Sequence, residues 1–156
     1  LLLRRSAEIN LQTSDGDTAL MFAAGGGSEQ VVELLLRHGA EINQQTTLGG
    51  TALMGAASSG HEKVVDSLIR HGAAIDMHNS VGDTALSQAA FNGHPAALLR
   101  LLRAGADVTL RVHGKTALQW AKHKGHAECV RALEEHAAAE AAAKEAIEAA
   151  ARRTEA

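Results

Sequence analysis

Nine histidines and one cysteine are the residues of this chain best suited to chemistry, and their spacing limits what they can do. His61, His94 and His126 recur at intervals of 33 and 32, each directly after a glycine. His38 and His71 are also 33 apart, each before Gly-Ala. Equivalent residues on packed neighbouring helices lie about 10 Å apart. That is too far to share an ion whose ligands sit about 2 Å from it. His123 and His126 are close in sequence, but no Cys or carboxylate joins them at a ligand spacing, so no metal site is expected. Cys129 stands alone, which excludes an internal disulfide and fits a reducing compartment. No Gly-x-Ser-x-Gly elbow, phosphate-binding loop or metalloprotease motif occurs. The chain therefore reads as a non-enzyme with no catalytic residue and no cofactor.

The histidines mark places in a repeated unit. Gly-x-Thr-Ala-Leu is written with its Thr at positions 18, 51, 84 and 116, a period of 33, 33 and 32. The glycines that follow the Leu runs, Gly39, Gly72 and Gly105, are again 33 apart. A fixed period of this size means stacked small units with no single central core. Within residues 16–45, Gly16 permits a turn and Thr18 caps a helix. Leu20, Ala23 and Ala24 then share one helical face. Gly25-Gly26-Gly27 ends that helix, and Ser28 is expected to cap the next. Val31, Val32 and Leu34 to Leu36 give the second helix a broad apolar face, closed by Gly39 in a left-handed conformation. In the third copy Pro95 occupies the first turn of the second helix, where its missing N–H is harmless. Only Phe22, Phe91 and Trp120 are aromatic, so Leu, Val, Ile and Ala must build the core.

The recurring Gly-x-Thr-Ala-Leu, Ala-Ala, Gly-His and Gly-Ala positions resemble the ankyrin repeat over roughly residues 1–136. The resemblance implies an all-α solenoid of helix-turn-helix units joined by finger-like β-hairpin loops. Residues 1–136 form the repeat domain: a partial repeat at 1–13, then repeats at about 14–46, 47–79, 80–111 and 112–136. Ala19, Ala52, Ala85 and Ala117 replace the family's Pro. Met21, Met54, Ser87 and Gln119 replace its His, which normally ties neighbouring loops together, so the finger-to-finger network is expected to be weakened. The fourth copy also lacks one residue before Gly114. Asn10 and Asn43 fall at a position that is hydroxylated in some ankyrin proteins.

The ends differ from the middle. Leu1 to Asn10 aligns with Leu34 to Asn43, so the chain begins inside a repeat. An uncapped N-terminal end of a solenoid exposes apolar surface, which makes self-association there one reading and a longer parent array another. At the other end, 11 of the 20 residues from Ala137 to Ala156 are Ala. With Glu140–Lys144 and Glu148–Arg152 pairs, residues 137–156 are expected to prolong the last helix. Glu140 to Lys144 also matches rigid helical spacers.

In ankyrin proteins, finger tips and first helices line one concave face that grips partners. Here the residues at those places vary between copies, so packing does not dictate them. The residues expected to contact a partner are Phe91, Asn92, Trp120, Phe22 and Gln88 on the first helices. From the finger tips come Leu48, Val81, Asp15, Asp17, Asp83, His113 and Lys115, with His123 and Lys124 at the end of the fourth copy's first helix. Aromatic and apolar anchors dominate interfaces. Phe91 is expected to be exposed. Trp120 and Phe22 either point into this face or pack between first helices.

Residues 6–36 hold five acids and no base, whereas residues 111–126 hold Arg111, Lys115, Lys122 and Lys124 and no acid. The net charge of −3 gives no case for nucleic acid, and the basic stretch at residues 111–126 leaves it a distant alternative. No run of 18 apolar residues could span a membrane, and Leu1 to Arg5 is no signal peptide. A cytoplasmic or nuclear, non-secreted chain that binds a protein is the leading expectation. A designed or engineered building block, an ankyrin fragment fused to a rigid helix and able to self-assemble, and a regulatory ankyrin fragment of a larger protein are the alternatives.

Overall fold

The computed structural model describes residues 8–154. Eight helices follow one another as four antiparallel pairs. The first helices are α1 (Ala19–Gly25), α3 (Ala52–Ser59), α5 (Ala85–Asn92) and α7 (Ala117–Lys124). The second helices are α2 (Glu29–Arg37), α4 (Glu62–Arg70), α6 (Pro95–Arg103) and α8 (Ala127–Thr154). First helices stack on first helices and second on second, so the core runs as a continuous slab through the array. The small residues Ala56, Ala57, Ala89 and Ala90 are wholly buried, which lets short helices approach closely.

Each first helix starts at a Thr whose hydroxyl accepts the backbone N–H three residues on, from Thr18 to Met21 through Thr116 to Gln119. Such a cap contributes about 1 kcal/mol. The second helices differ from expectation. Ser28, His61 and His94 make no side-chain cap. The histidine rings serve the stacking. His61 Nε2 lies 3.0 Å from the Gly25 carbonyl, and His126 Nε2 lies 2.9 Å from that of Phe91. Their rings lie against Gly27 and Gly93, and His94 does the same against Gly60, where an added Cβ would clash. The Gly-His turn is thus a joint between repeats.

The loops are finger-like, but no extended strand forms among the described residues. In the first three fingers a five-residue turn is closed by two hydrogen bonds. Thr13 N–H donates to Asp17 and Gly16 N–H to Thr13, with the same pattern at Thr46–Gly50 and Asn79–Asp83. One pair of bonds per finger is too little for a ladder. The expected weakening between fingers is also corrected for the first three fingers. Gln12 donates to the carbonyls of Gly16 and Gln45, and Gln45 donates to those of Gly49 and His78. Thr47 N–H reaches the Asp15 carbonyl at 2.9 Å, and Ser80 N–H reaches that of Leu48 at 2.9 Å. Asn10 and Asn43 add a lower tier by accepting from Glu41 N–H and Ala74 N–H.

On the second helices, Glu33 of α2 accepts the hydroxyl of buried Ser67 on α4 and faces Arg70 and His71. The Ser67 bond above all, then His71 and Arg70, holds the Glu33 carboxyl below its ordinary value of 4.5. A lowered folded value stabilises the fold above the unfolded value and loses that effect as pH falls through the folded one. The stability gap between wild type and Glu33→Gln is therefore expected to close below pH 4.5, read from urea midpoints across pH 3–7. Cys129 is buried, and burial, then Glu128, pushes its thiol pKa up.

The last helix runs on as expected. α8 has 28 residues, about 42 Å at 1.5 Å each, and every residue from 137 to 154 is exposed. The partial repeat's turn at residues 1–5 lies outside the described residues. On α2, Val31 and Leu34 are exposed.

Candidate functional site

The fourth finger is built differently from the other three. Its missing residue leaves a four-residue turn, with Val112 and Lys115 exchanging hydrogen bonds at 2.9 and 3.0 Å. The two central residues, His113 and Gly114, have φ of 49° and 77°. Positive φ at both positions is what a type I′ turn requires. A left-handed conformation costs an L-residue roughly 1–2 kcal/mol, and Asn is favoured over His before Gly in this turn. His113→Asn is expected to recover part of that cost, seen as a raised urea midpoint.

The tighter turn withdraws the fourth finger from the third. Gly16 and Gly49 lie so close to the next finger that a Cβ would come within 2.9 Å of its backbone, whereas Gly82 has open space. No finger-to-finger bond like those of Thr47 and Ser80 joins the third finger to the fourth among the described residues. A groove of about 390 Å³ opens at this gap.

The groove gathers several of the expected contact residues. Phe91, Asn92 and Gln88 come from α5, Trp120 from α7, and Asp83 and His113 from the two fingers. The rings of Phe91 and Trp120 meet edge to face at 5.2 Å, a favoured aromatic geometry. Trp120 Nε1–H donates to the Val112 carbonyl at 3.0 Å, which fixes the indole. Lys115 Nζ stands 4.8 Å from the Trp120 ring centre, and Lys124 Nζ stands 4.4 Å from that of Phe91. His123 also meets Trp120 edge to face, at 5.8 Å. Trp120 is half-buried, Phe91 is 38% exposed and Phe22 is 64% exposed.

A second, shallower groove of about 270 Å³ continues along the first helices. Asp17 and Phe22 line it, and Ser58 and Gln88 belong to both grooves. Gly55 makes only ordinary contact with Gly25, so its lack of a side chain keeps this floor low. Six expected contact residues line neither groove, and of these Lys115, His123 and Lys124 sit against the two aromatic rings. Leu48, Val81 and Asp15 are exposed at finger tips, where the Leu48 and Asp15 carbonyls hold the next finger. Val112, beside His113, is 2% exposed, because the shortened turn places it at the finger's base. Ser58 and Ser87 also line the main groove. Variation at Ser58 between copies was a usable signal for it, but Ser87 belongs to a helix cap and gave none.

Among the described residues, no three His, Cys, Asp or Glu side chains come together to hold a metal ion. No described helix is long and apolar enough to cross a membrane. His38 and His71 each bond the carbonyl four residues back in their own helix end, at 2.8 Å.

No curated protein matches the chain. The family model described as ankyrin repeats, three copies, matches residues 1–79, 30–112 and 86–155. With paired helices, Thr caps and left-handed glycines recurring in phase across those residues, the chain belongs to the ankyrin repeat family.

Proposed function

We propose that this chain is a non-catalytic module that binds a protein partner on the face made by its fingers and first helices. Ankyrin repeats are in general protein-interaction modules. The observation that carries the assignment of the face is the groove between the third and fourth fingers. It joins two aromatic rings to a shallower groove running back to Phe22. Paired aromatic side chains in a partly desolvated pocket are the usual centre of an interface, and polar Gln88, Asn92 and Ser58 around them supply a rim. The test is to compare a partner captured from the source organism for binding to wild type and to Phe91→Ala/Trp120→Ala. Unchanged affinity would place the binding face elsewhere.

The exposed part of α8 favours a second reading. An Ala-rich helix with Ile147 as its one large apolar side chain beyond residue 136 has no seam for a partner helix. It fits a rigid spacer between the repeats and another element. Loss of helicity in Ala143→Gly/Ala146→Gly that left the function of the intact protein unchanged would remove that reading.

A further inference from the structure

Charge on the groove face is graded along the array. The first finger carries Asp15 and Asp17, residues 44–60 carry no charge, and the third finger carries Asp83. Residues 111–124, at the start of the fourth repeat and the residue before it, reverse the sign with Arg111, Lys115 and Lys124. Lys122 is paired with Glu134 at 2.8 Å. The other three have no carboxylate partner among the described residues. Arg111 instead bonds the Gly114 carbonyl and Gln119, and the two lysines sit on aromatic rings. Asp83, on the opposite wall, is held by Asn79 at 3.2 Å.

We infer that the groove takes an extended peptide segment of asymmetric charge, a reading that rests on the proposed binding face. An apolar side chain of the segment enters between Phe91 and Trp120. Residues on one side of it are acidic and meet Lys115, Lys124 and Arg111. Residues on the other side are uncharged or basic and pass Asp83 toward Asp15 and Asp17. The lysines gain a carboxylate while keeping their ring contacts, and the gap beside Gly82 leaves room for a backbone where the other fingers touch. A single-stranded nucleic acid also stacks bases on aromatic rings beside cations. Here a phosphate backbone leaving the fourth repeat would run against Asp83, Asp17 and Asp15, so a peptide is favoured.

Selection of a random displayed peptide library on the whole chain tests this. The expected result is enrichment of peptides with acids on one side only of a large apolar residue. Their binding should weaken as salt rises and be lost in Phe91→Ala/Trp120→Ala. Exposed ion pairs are individually weak, so Lys115→Glu/Lys124→Glu is expected to weaken them about ten-fold and to invert the charge preference on reselection. Groove-dependent peptides with no acidic bias, or indifferent to the lysine reversal, would overturn the charge assignment and leave the binding face standing. Absence of any peptide sensitive to Phe91 and Trp120 would overturn both. Salt-dependent binding of homopolymer single-stranded DNA at these rings, without peptide binding, would assign the cations to phosphate.

Discussion

Replacing Leu98 with Ala is expected to lower the unfolding free energy by about 2–5 kcal/mol, toward the upper end of that range. Leu98 lies on α6 and is fully buried. α6 packs against α4 before it, α8 after it and α5 across its own repeat. Truncation leaves a cavity that Ala97, also fully buried beside it, is too small to fill. In a stacked array stability is the sum of each unit and its interfaces with its neighbours. A lesion in the third of four repeats therefore weakens two interfaces, and the same change at Leu133 in the last repeat should weaken fewer. Urea denaturation followed by circular dichroism measures both. A loss under 1 kcal/mol at Leu98, or a larger loss at Leu133, would contradict this account of the core.

The second large effect is expected in binding. Phe91→Ala/Trp120→Ala should weaken a protein partner by about 2–4 kcal/mol, at least roughly thirty-fold in Kd. The two rings form one unit through their edge-to-face contact. Removing either also frees a lysine from its aromatic platform, so the single variants should not add. Trp120 also holds the fourth finger through the Val112 carbonyl, which makes loss of finger order a competing cause. Trp120→Phe separates the two effects, since it keeps an aromatic face and removes the indole donor. Near-native affinity in Trp120→Phe with loss in the Ala variants assigns the effect to the ring. Leu99→Ala, an exposed position on α6, serves as the control away from the groove.

Much of the fold was legible because each repeat restates the same constraints. Thr18, Thr51, Thr84 and Thr116 each cap a helix, and Leu20, Leu53 and Leu86 are each buried. The C-terminal helix was legible from propensity alone. What neighbouring units do to one another was less visible. Ser28 looked like a cap by residue type, yet its backbone geometry leaves it without a side-chain bond. Loss of the family His implied loose fingers, and Gln12 and Gln45 supply the missing bonds from another position. The one-residue shortening before Gly114 was plain in the spacing. Its consequence was not, because a change of turn type acts through the distance to the third finger. That distance opens the groove, and the shortened turn buries Val112 so that its carbonyl anchors Trp120.

The most direct test of the central claim is hydrogen–deuterium exchange of the chain with and without its captured protein partner. Binding in the groove predicts slowed exchange in residues 83–92 and 112–124, with residues 62–70 and 95–103 on the second helices unchanged. Protection confined to the second helices, or to residues 137–154 of α8, would contradict it.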